Sequence, residues 1–248
     1  MADLDLSELS DWISKASDNG AVVVVTHRNG DMDTIGSGLV LAQTIGPSAR
    51  ACGVHIGTLA KRIMKGADVI FHSLDSKRPI LPRNIGGIIV VDSASPGQIG
   101  FDLPDSTPLC IIDHHGAASE EWPETALLVN RDTSSTAEII WELIKITDNT
   151  ISPLSGRLLL AAIVADTGRF KHARPGCYQR VEEIIAASGI DVVDVINEME
   201  SEDLNQSQRI AILHAVSNSK CQTVANIVVA TTRARTHEGA VAHALLAA

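Results

Sequence analysis

Four short stretches rich in Asp and His each follow a run of apolar residues in this chain. Carboxylate and imidazole groups bind divalent cations, and several of them gathered at one place can hold two such ions. Two ions about 3.5–4 Å apart clamp the attacking and leaving oxygens of phosphoryl transfer, and they activate a shared water as the nucleophile. We therefore predict a two-metal hydrolase site formed by His27–Asp33, Asp92–Ser93, Asp113–His115 and Asp166–Gly168.

Each stretch alone also fits a purely structural role. Asp31 and Asp33 precede a predicted helix, so either could cap that helix or close a turn. Asp92 fits an ordinary strand exit. Asp113–His115 is more specific, because packing rarely places an acid and two imidazoles together at a strand end, and Asp166 would be costly to bury unpaired. It is the combination, in this order and context, that packing explains poorly.

The residue types in the four stretches select the metal. Carboxylates predominate, accompanied by imidazoles and no thiolates, which suits six-coordinate Mn²⁺ or Mg²⁺ better than zinc. We expect two divalent cations, with Mn²⁺ first and Mg²⁺ or Co²⁺ as alternatives. No CxxC or CxxH pair occurs among Cys52, Cys110, Cys177 and Cys221, so the sequence does not indicate a structural zinc site.

Strands alternate with helices along the chain, which predicts an α/β fold with a mainly parallel sheet flanked by helices. Ligands of such sheets bind at the carboxyl ends of the strands, where the four stretches are predicted to lie. We predict strands at 21–26, 50–54, 86–92, 109–113, 126–130 and 225–231, and helices at 6–16, 34–45, 59–64, 134–146, 152–164, 178–187, 192–199, 205–218 and 238–248.

The composition shifts after Arg174-Pro175-Gly176, which suggests a change of domain. We predict a catalytic domain at 1–175, a helical completion or linker at 176–222, and the start of a second α/β domain at 223–248. The last predicted helix stops without a capping glycine or a polar tail. We therefore expect the chain to be truncated inside that second domain.

Composition and charge limit the partners. The formal net charge of −10 argues against long duplex nucleic acid, whose affinity for proteins comes largely from phosphate neutralisation. Short oligonucleotides and small nucleotides remain open, because bound cations would supply local positive charge. No apolar run reaches about 18 residues and no signal peptide is evident, so we expect no membrane span and a cytoplasmic location. The early strands and apolar helices are compatible with a homodimer.

Together the motifs resemble those of the DHH family of phosphoesterases, in its oligoribonuclease-like (nanoRNase-like) and RecJ-like branch. The resemblance covers about residues 20 to 175. His27-x-x-x-Asp31-x-Asp33 is similar to the first motif of that family, Asp92 to the second, Asp113-His114-His115 to the naming motif, and Asp166-Thr167-Gly168 to the fourth. Ser134-Ser135-Thr136-Ala137-Glu138 also fits a stretch common in the oligoribonuclease and cyclic-dinucleotide branches.

The resemblance implies a role for each matching residue. One ion would be held by His27 and Asp31, and Asp92 would bridge to the other ion. Asp113 would orient an imidazole, and His115 would face the substrate to bind phosphate or protonate the leaving oxygen. The second ion would be held by Asp33, His114 and Asp166. The family's glycine-rich GGGH-type motif of the C-terminal substrate-binding domain does not occur in this sequence.

We predict a metal-dependent phosphodiesterase, a nuclease acting on short single-stranded oligonucleotides or small nucleotides such as nanoRNA, dinucleotides or nucleoside bisphosphates. Phe170 is a candidate for base stacking, although it could equally belong to the core. Hydrolysis of pyrophosphate or polyphosphate is the enzymatic alternative, and a non-catalytic nucleotide-binding module is the third. Cations near the fourth motif could bind phosphate or lie in a solvated loop; the predicted substrate contacts are Arg131, Ser135, Arg169 and Lys171.

Overall fold

The computed structural model describes residues 2–116, 121–201 and 204–246, and the chain divides into two compact units, Met1–Met199 and Glu200–Ala248. The domain boundaries predicted from the sequence stay predictions. The first unit contains strands Ala2–Asp3 (β1), Ala21–Thr26 (β2), Ala49–Gly53 (β3), His72–Ser73 (β4), Ile85–Val91 (β5), Leu109–Asp113 (β6) and Leu127–Asn130 (β7). Its helices are Leu6–Asn19 (α1), Met32–Ile45 (α2), Thr58–Ile63 (α3), Thr136–Ile146 (α4), Pro153–Asp166 (α5), Cys177–Ser188 (α6) and Val192–Glu200 (α7).

The seven strands form one sheet in the order β1-β7-β6-β5-β2-β3-β4. Every strand pairing in this sheet is parallel, which confirms the predicted α/β class. The chain builds outward from β2 through β3 and β4, and then returns to the other side of β2 with β5. The strand order therefore reverses between β2 and β5, and such a reversal opens a crevice at the carboxyl ends of the strands.

The central strands are buried on both faces, as their uninterrupted apolar sequence predicts. One face of the sheet shares a core with helices α1, α2, α4 and α5. The opposite face packs against Ile99, Phe101 and Trp122, which lie in connecting segments. The strands are thus packed on both faces, and this packing positions the residues just beyond the strand ends.

A close approach of α2 and α5 brings two of the predicted ligands together. A Cβ atom at Gly36 in α2 would lie 2.9 Å from the carbonyl oxygen of Leu158 and 3.2 Å from the Cβ of Ala162, both in α5. Only a residue without a side chain allows this contact. As a result the amino-terminal turn of α2, with Asp33, lies near the carboxyl end of α5, with Asp166.

The second unit consists of α8 (Gln206–Ser217), a hairpin of Lys220–Val224 (β8) and Ile227–Thr231 (β9), and α9 (Glu238–Leu246). The predicted strand at 225–231 starts two residues too early, because Ala225 and Asn226 form the turn with φ angles of 48° and 67°. Strands β8, β1 and β4 were not predicted from the sequence. Strand β8 contains polar residues, and β1 and β4 are only two residues long, so none of them has a local strand pattern. Within the described part of the chain, no helix has the length and hydropathy that crossing a membrane requires.

Candidate metal centre

Strand register places three of the predicted site residues side by side. Thr26 of β2 pairs with Val91 of β5, and Val91 pairs with Ile112 of β6. The next residue on each strand is His27, Asp92 or Asp113, so these three residues form a row along the carboxyl edge of the sheet. This row lies at the reversal of strand order between β2 and β5, the position where parallel sheets bind their ligands.

The loop after β2 turns sharply so that Asp31 faces back toward His27. Gly30 has a φ angle of 58°, and a Cβ atom there would lie 2.1 Å from the carbonyl oxygen of His55. Asp31 caps α2, since its Oδ1 accepts a hydrogen bond of 3.2 Å from the backbone N–H of Thr34. Its Oδ2 lies 3.0 Å from Nε2 of His27. Asp31 is therefore both a helix cap and a neighbour of the imidazole.

All six predicted metal ligands lie in two adjacent clusters. In the first, Nε2 of His27 lies 3.0 Å from Asp31 and 3.4 Å from Asp92. In the second, Nε2 of His114 lies 3.4 Å from Asp166 and 3.9 Å from Asp33. Ligand atoms of each cluster lie within 4.8 Å of one another. Each cluster can therefore offer three protein ligands to one cation.

Asp92 connects the two clusters. Its Oδ2 lies 3.4 Å from Nε2 of His27, and its Oδ1 lies 3.5 Å from Nε2 of His114. The residue is buried and has a φ angle of 58°, a conformation that Asp tolerates better than most residues. One carboxylate oxygen thus faces each imidazole, which is the arrangement that a bridging ligand between two ions requires.

Asp33 is buried in a set of donors from a distant part of the chain. The backbone N–H groups of Thr136 and Ala137, at the start of α4, donate to it at 2.7 and 3.0 Å. The hydroxyl of Ser37 donates at 3.2 Å. Helix amino termini stabilise negative charge, so α4 favours a carboxylate at this position. Burial nevertheless raises the pKa of Asp33 well above its usual range, as do the nearby charges of Asp92 and Asp166.

The donor set fits divalent cations. Nε2 of His114 is buried and has no hydrogen-bond partner among the described residues, although three carboxylates lie within 4 Å. A buried ring nitrogen without a partner is costly unless something binds it. Four carboxylates and two imidazoles would place a large negative charge in this crevice, and two divalent cations would balance it.

In the protein without metal, protons take part of that balancing role. Burial lowers the pKa of His27, but its hydrogen bonds with Asp31 and Asp92 outweigh burial and raise the pKa to about 10. Burial also lowers the pKa of His114, but its contact with Asp92 at 3.5 Å and the charges of Asp33, Asp92 and Asp166 outweigh burial and raise the pKa to about 9. Burial would raise the pKa of Asp92, but the two imidazoles hold it well below its usual range.

We expect Mn²⁺ binding at pH 7 to release protons, because both imidazoles must be neutral to bind a cation. With the pKa values of His27 and His114 raised to about 10 and 9 in the metal-free protein, the affinity for Mn²⁺ should rise with pH up to that range. Calorimetry in buffers of different ionisation enthalpy measures the proton count. The expectation would be contradicted if binding at pH 7 released no protons and the affinity for Mn²⁺ did not change between pH 6 and pH 9.

Asp113 and His115 form a pair beside the clusters. Oδ1 of Asp113 is 2.7 Å from Nδ1 of His115, which orients the imidazole, and this contact raises the pKa of His115. The carboxylate is fully buried, whereas the imidazole is about half exposed, at 48%. The ring of His115 contacts the ring of His114 at a centroid distance of 4.4 Å. His115 can therefore contact a ligand that enters from solvent, while the buried carboxylate of Asp113 orients its ring.

The predicted substrate contacts have varied surroundings. Arg131 donates to the carbonyl oxygens of Asn130 and Leu4 at 2.7 and 2.6 Å, which ties its guanidinium to the β1 edge. Ser135 is fully buried at the cap position of α4. Arg169 and Lys171 are exposed in the segment that follows Asp166. Their roles toward a substrate stay predictions.

Sequence reasoning assigned no structural role to two residues, Thr34 and Glu138, that anchor segments around the site. Thr34 donates its hydroxyl to the carbonyl oxygen of Val91 and accepts from the backbone of His27, so it fastens the first motif to β5. Glu138 is fully buried, accepts from the backbone of Ser134 at 2.8 Å and pairs with Arg180 at 3.2 Å. The unusual acid inside an apolar helix pattern was the available signal for Glu138.

Comparison with known proteins identifies the family of this chain. Residues 21–165 match the DHH family, N-terminal domain. The chain is 26% identical over 233 residues to an uncharacterized protein of Methanocaldococcus jannaschii, covering 91% of this chain and 68% of that protein. It is 30% identical over 158 residues to a manganese-dependent inorganic pyrophosphatase of the same organism, covering 60% of this chain and 48% of the pyrophosphatase.

The fold is shared with a solved structure as well. An exopolyphosphatase-related protein from Bacteroides fragilis superposes with a TM-score of 0.66 at 20% identity, covering 87% of this chain and 65% of that protein. The chain thus spans about half the length of the pyrophosphatase it matches and about two thirds of this structural neighbour.

Proposed function

Because the chain belongs to the DHH family, we propose that it is a phosphoesterase that uses two divalent cations to hydrolyse short oligonucleotides or small nucleotides. The observation that carries this proposal is the placement of Asp92 between two clusters of carboxylates and imidazoles. Manganese is the first candidate for both ions. A homodimer and a cytoplasmic location stay predictions.

When bound, the ions would supply Lewis acidity and a water activated for attack on phosphorus. His27, Asp31 and Asp92 would hold one of them, and Asp33, His114, Asp166 and Asp92 the other. His115 receives a different role, because its Nδ1 bonds to Asp113 and its ring is half exposed. In its protonated form, Nε2 of His115 would donate a proton to the leaving oxygen. The buried carboxylate of Asp113 keeps that ring oriented and raises its pKa, which favours the protonated form.

The segment after Asp166 supports a nucleotide as the substrate. Residues 169–174 hold Arg169, Lys171, His172 and Arg174, a concentration of basic groups in a chain of net charge −10. Within this segment the ring of Phe170 contacts that of Tyr178 at a centroid distance of 5.6 Å. Tyr178 is 64% exposed, so much of this residue is accessible to a base. Basic groups beside an accessible aromatic ring suit phosphates and a base, respectively.

Inorganic pyrophosphate is the second candidate, and the relatives supply its support. The manganese-dependent enzymes of M. jannaschii and Bacillus subtilis, 30% and 25% identical to this chain, are named inorganic pyrophosphatases. Pyrophosphate offers two phosphates to the metal pair and needs no aromatic contact.

One parallel assay separates the two candidates. We would measure Mn²⁺-dependent hydrolysis of a linear dinucleotide, a nucleoside 3′,5′-bisphosphate and pyrophosphate at equal concentration. A dinucleotide or bisphosphate is expected to have a kcat/KM at least about tenfold above that of pyrophosphate, the ratio that about 1.4 kcal/mol of base stacking gives. If pyrophosphate is the preferred substrate, the second candidate replaces the first. If none of the three compounds is hydrolysed, a non-catalytic binding module is the interpretation that is left.

The Tyr178→Ala variant sharpens this test. Loss of one base-stacking contact costs about 1–3 kcal/mol, so KM for the dinucleotide should rise by about 5-fold to 100-fold. Hydrolysis of pyrophosphate should not change, because this substrate has no base. Tyr178→Phe keeps the ring and is the matched control. Equal effects on both substrates would show that Tyr178 acts on the fold rather than on the base.

A further inference from the structure

Thr136 contacts two carboxylates of the candidate metal centre, Asp33 and Asp92. Its backbone N–H donates to Oδ2 of Asp33 at 2.7 Å. Its hydroxyl Oγ1 donates to Oδ1 of Asp92 at 3.2 Å. The side chain is fully buried in the first turn of α4, which follows the extended cap residue Ser135. One residue of α4 thus joins the first turn of α2 to the end of β5.

The hydroxyl contact is made with the Asp92 oxygen that faces the second cluster. Oδ1 of Asp92 lies 3.5 Å from Nε2 of His114, while Oδ2 lies 3.4 Å from Nε2 of His27. The last side-chain torsion angle of Asp, χ2, has a broad distribution with no strong staggered preference. A hydrogen bond to one of its oxygens therefore selects the orientation in which each oxygen faces one cluster.

The backbone contact and the hydroxyl contact have separable effects. Substitution of the side chain leaves the N–H of Thr136 and its bond to Asp33 in place. Of the two Thr136 donors, it removes only the hydroxyl that donates to Asp92. Asp33 also retains the donors from Ala137 and Ser37. The hydroxyl can thus be tested without disturbing the anchoring of α4 on Asp33.

We infer that Thr136 is a positioning residue whose hydroxyl holds Asp92 in the orientation that lets it bridge two cations. This inference rests on the proposed metal centre. Without the hydroxyl, Asp92 can turn so that both oxygens serve one cation, and the other cation loses a ligand. Hydrogen-bond partners of metal ligands typically contribute 10–100-fold to metal affinity, and we expect that range for the weaker of the two ions.

Thr136→Val is the decisive variant, because valine keeps the branched shape and removes the hydroxyl. Thr136→Ser keeps the hydroxyl and should retain the affinity of the wild type. Thr44→Val is the matched control, since Thr44 donates its hydroxyl to the carbonyl oxygen of Val40 at the other end of α2. If the valine variant does not fold, Thr136→Ala gives the same comparison with a smaller side chain.

The readouts are metal binding and spectroscopy, which do not depend on turnover. Titration calorimetry with Mn²⁺ should show two ions in the wild type, and one of them weakened 10–100-fold in Thr136→Val. At metal concentrations that saturate the wild type, Thr136→Val should lack the low-temperature electron paramagnetic resonance spectrum of two Mn²⁺ ions coupled through a bridge. Thermal unfolding in EDTA identifies any variant that is merely destabilised.

If Thr136→Val binds two ions with the affinity and the coupled spectrum of the wild type, the role of Thr136 is overturned. The proposed metal centre would not be affected by that result. An equal loss in Thr136→Ser would also overturn it, because the hydroxyl is then not what matters. A wild-type protein that binds no Mn²⁺ pair would instead refute the proposed metal centre, and the inference with it.

Discussion

Asp92→Asn is expected to lower Mn²⁺-dependent hydrolysis by on the order of 10³-fold, because an amide cannot bridge two cations. Asp92 offers one oxygen to each cluster, whereas Asn has a single oxygen and no charge. Electrostatic stabilisation at a reacting phosphate is among the largest contributions in catalysis, and loss of one such group costs about 10²–10³-fold or more. Initial rates on a saturating dinucleotide, with Mn²⁺ in excess, measure the effect.

The fold should survive this substitution. Asp92 has a φ angle of 58°, and Asn is the residue that best accepts this left-handed conformation after glycine. The amide can still accept the hydrogen bond from Thr136. Far-ultraviolet circular dichroism and thermal unfolding in EDTA should therefore resemble those of the wild type.

Asp148→Asn is the matched control for this variant. Asp148 also has a positive φ angle, of 52°, but it is exposed in the turn after α4. The same chemical change at the same backbone conformation should leave the rate unchanged. Wild-type turnover in Asp92→Asn would remove the basis of the proposed mechanism, whatever substrate the enzyme takes.

Arg180→Ala is expected to destabilise the protein by about 3–5 kcal/mol, because it leaves the buried carboxylate of Glu138 without its cation. Glu138 is fully buried in α4, and Arg180 reaches it from α6 at 3.2 Å. Since domains are stable by only about 5–15 kcal/mol, this is a large part of the total. Denaturant unfolding of the metal-free protein measures the loss.

Two further variants identify the cause of this loss. Lys145→Ala removes a cation from an exposed pair with Glu183 on the same two helices, and exposed pairs contribute about 0–1 kcal/mol. In the double variant Arg180→Ala/Glu138→Gln, the neutral amide can still accept from the backbone of Ser134 and no buried charge remains. We expect the double variant to recover at least half of the lost stability. A double variant no more stable than Arg180→Ala would show that packing, rather than charge, accounts for the loss.

The sequence by itself determined the chemistry of the centre and the strands that carry it. Continuous β-branched runs such as Ala21–Thr26 predict parallel strands covered on both faces, because such strands have no solvent face and need no polar alternation. His27, Asp92 and Asp113 follow such runs, so the edge of the sheet on which they meet was predictable. Their convergence depends on strand register, which the tertiary structure decided, because an apolar run without polar alternation does not distinguish one register from the next.

The tertiary structure alone decided which groups support these ligands. Asp33 and Asp166 lie on helices, and they meet because Gly36 lets α2 approach α5. Thr136, more than a hundred residues beyond Asp33, donates to it from the start of α4. No local pattern encodes either contact, because each depends on the packing of two separate elements. Ligand identity follows from side-chain chemistry and local position, whereas orientation follows from non-local packing, which a linear sequence does not display.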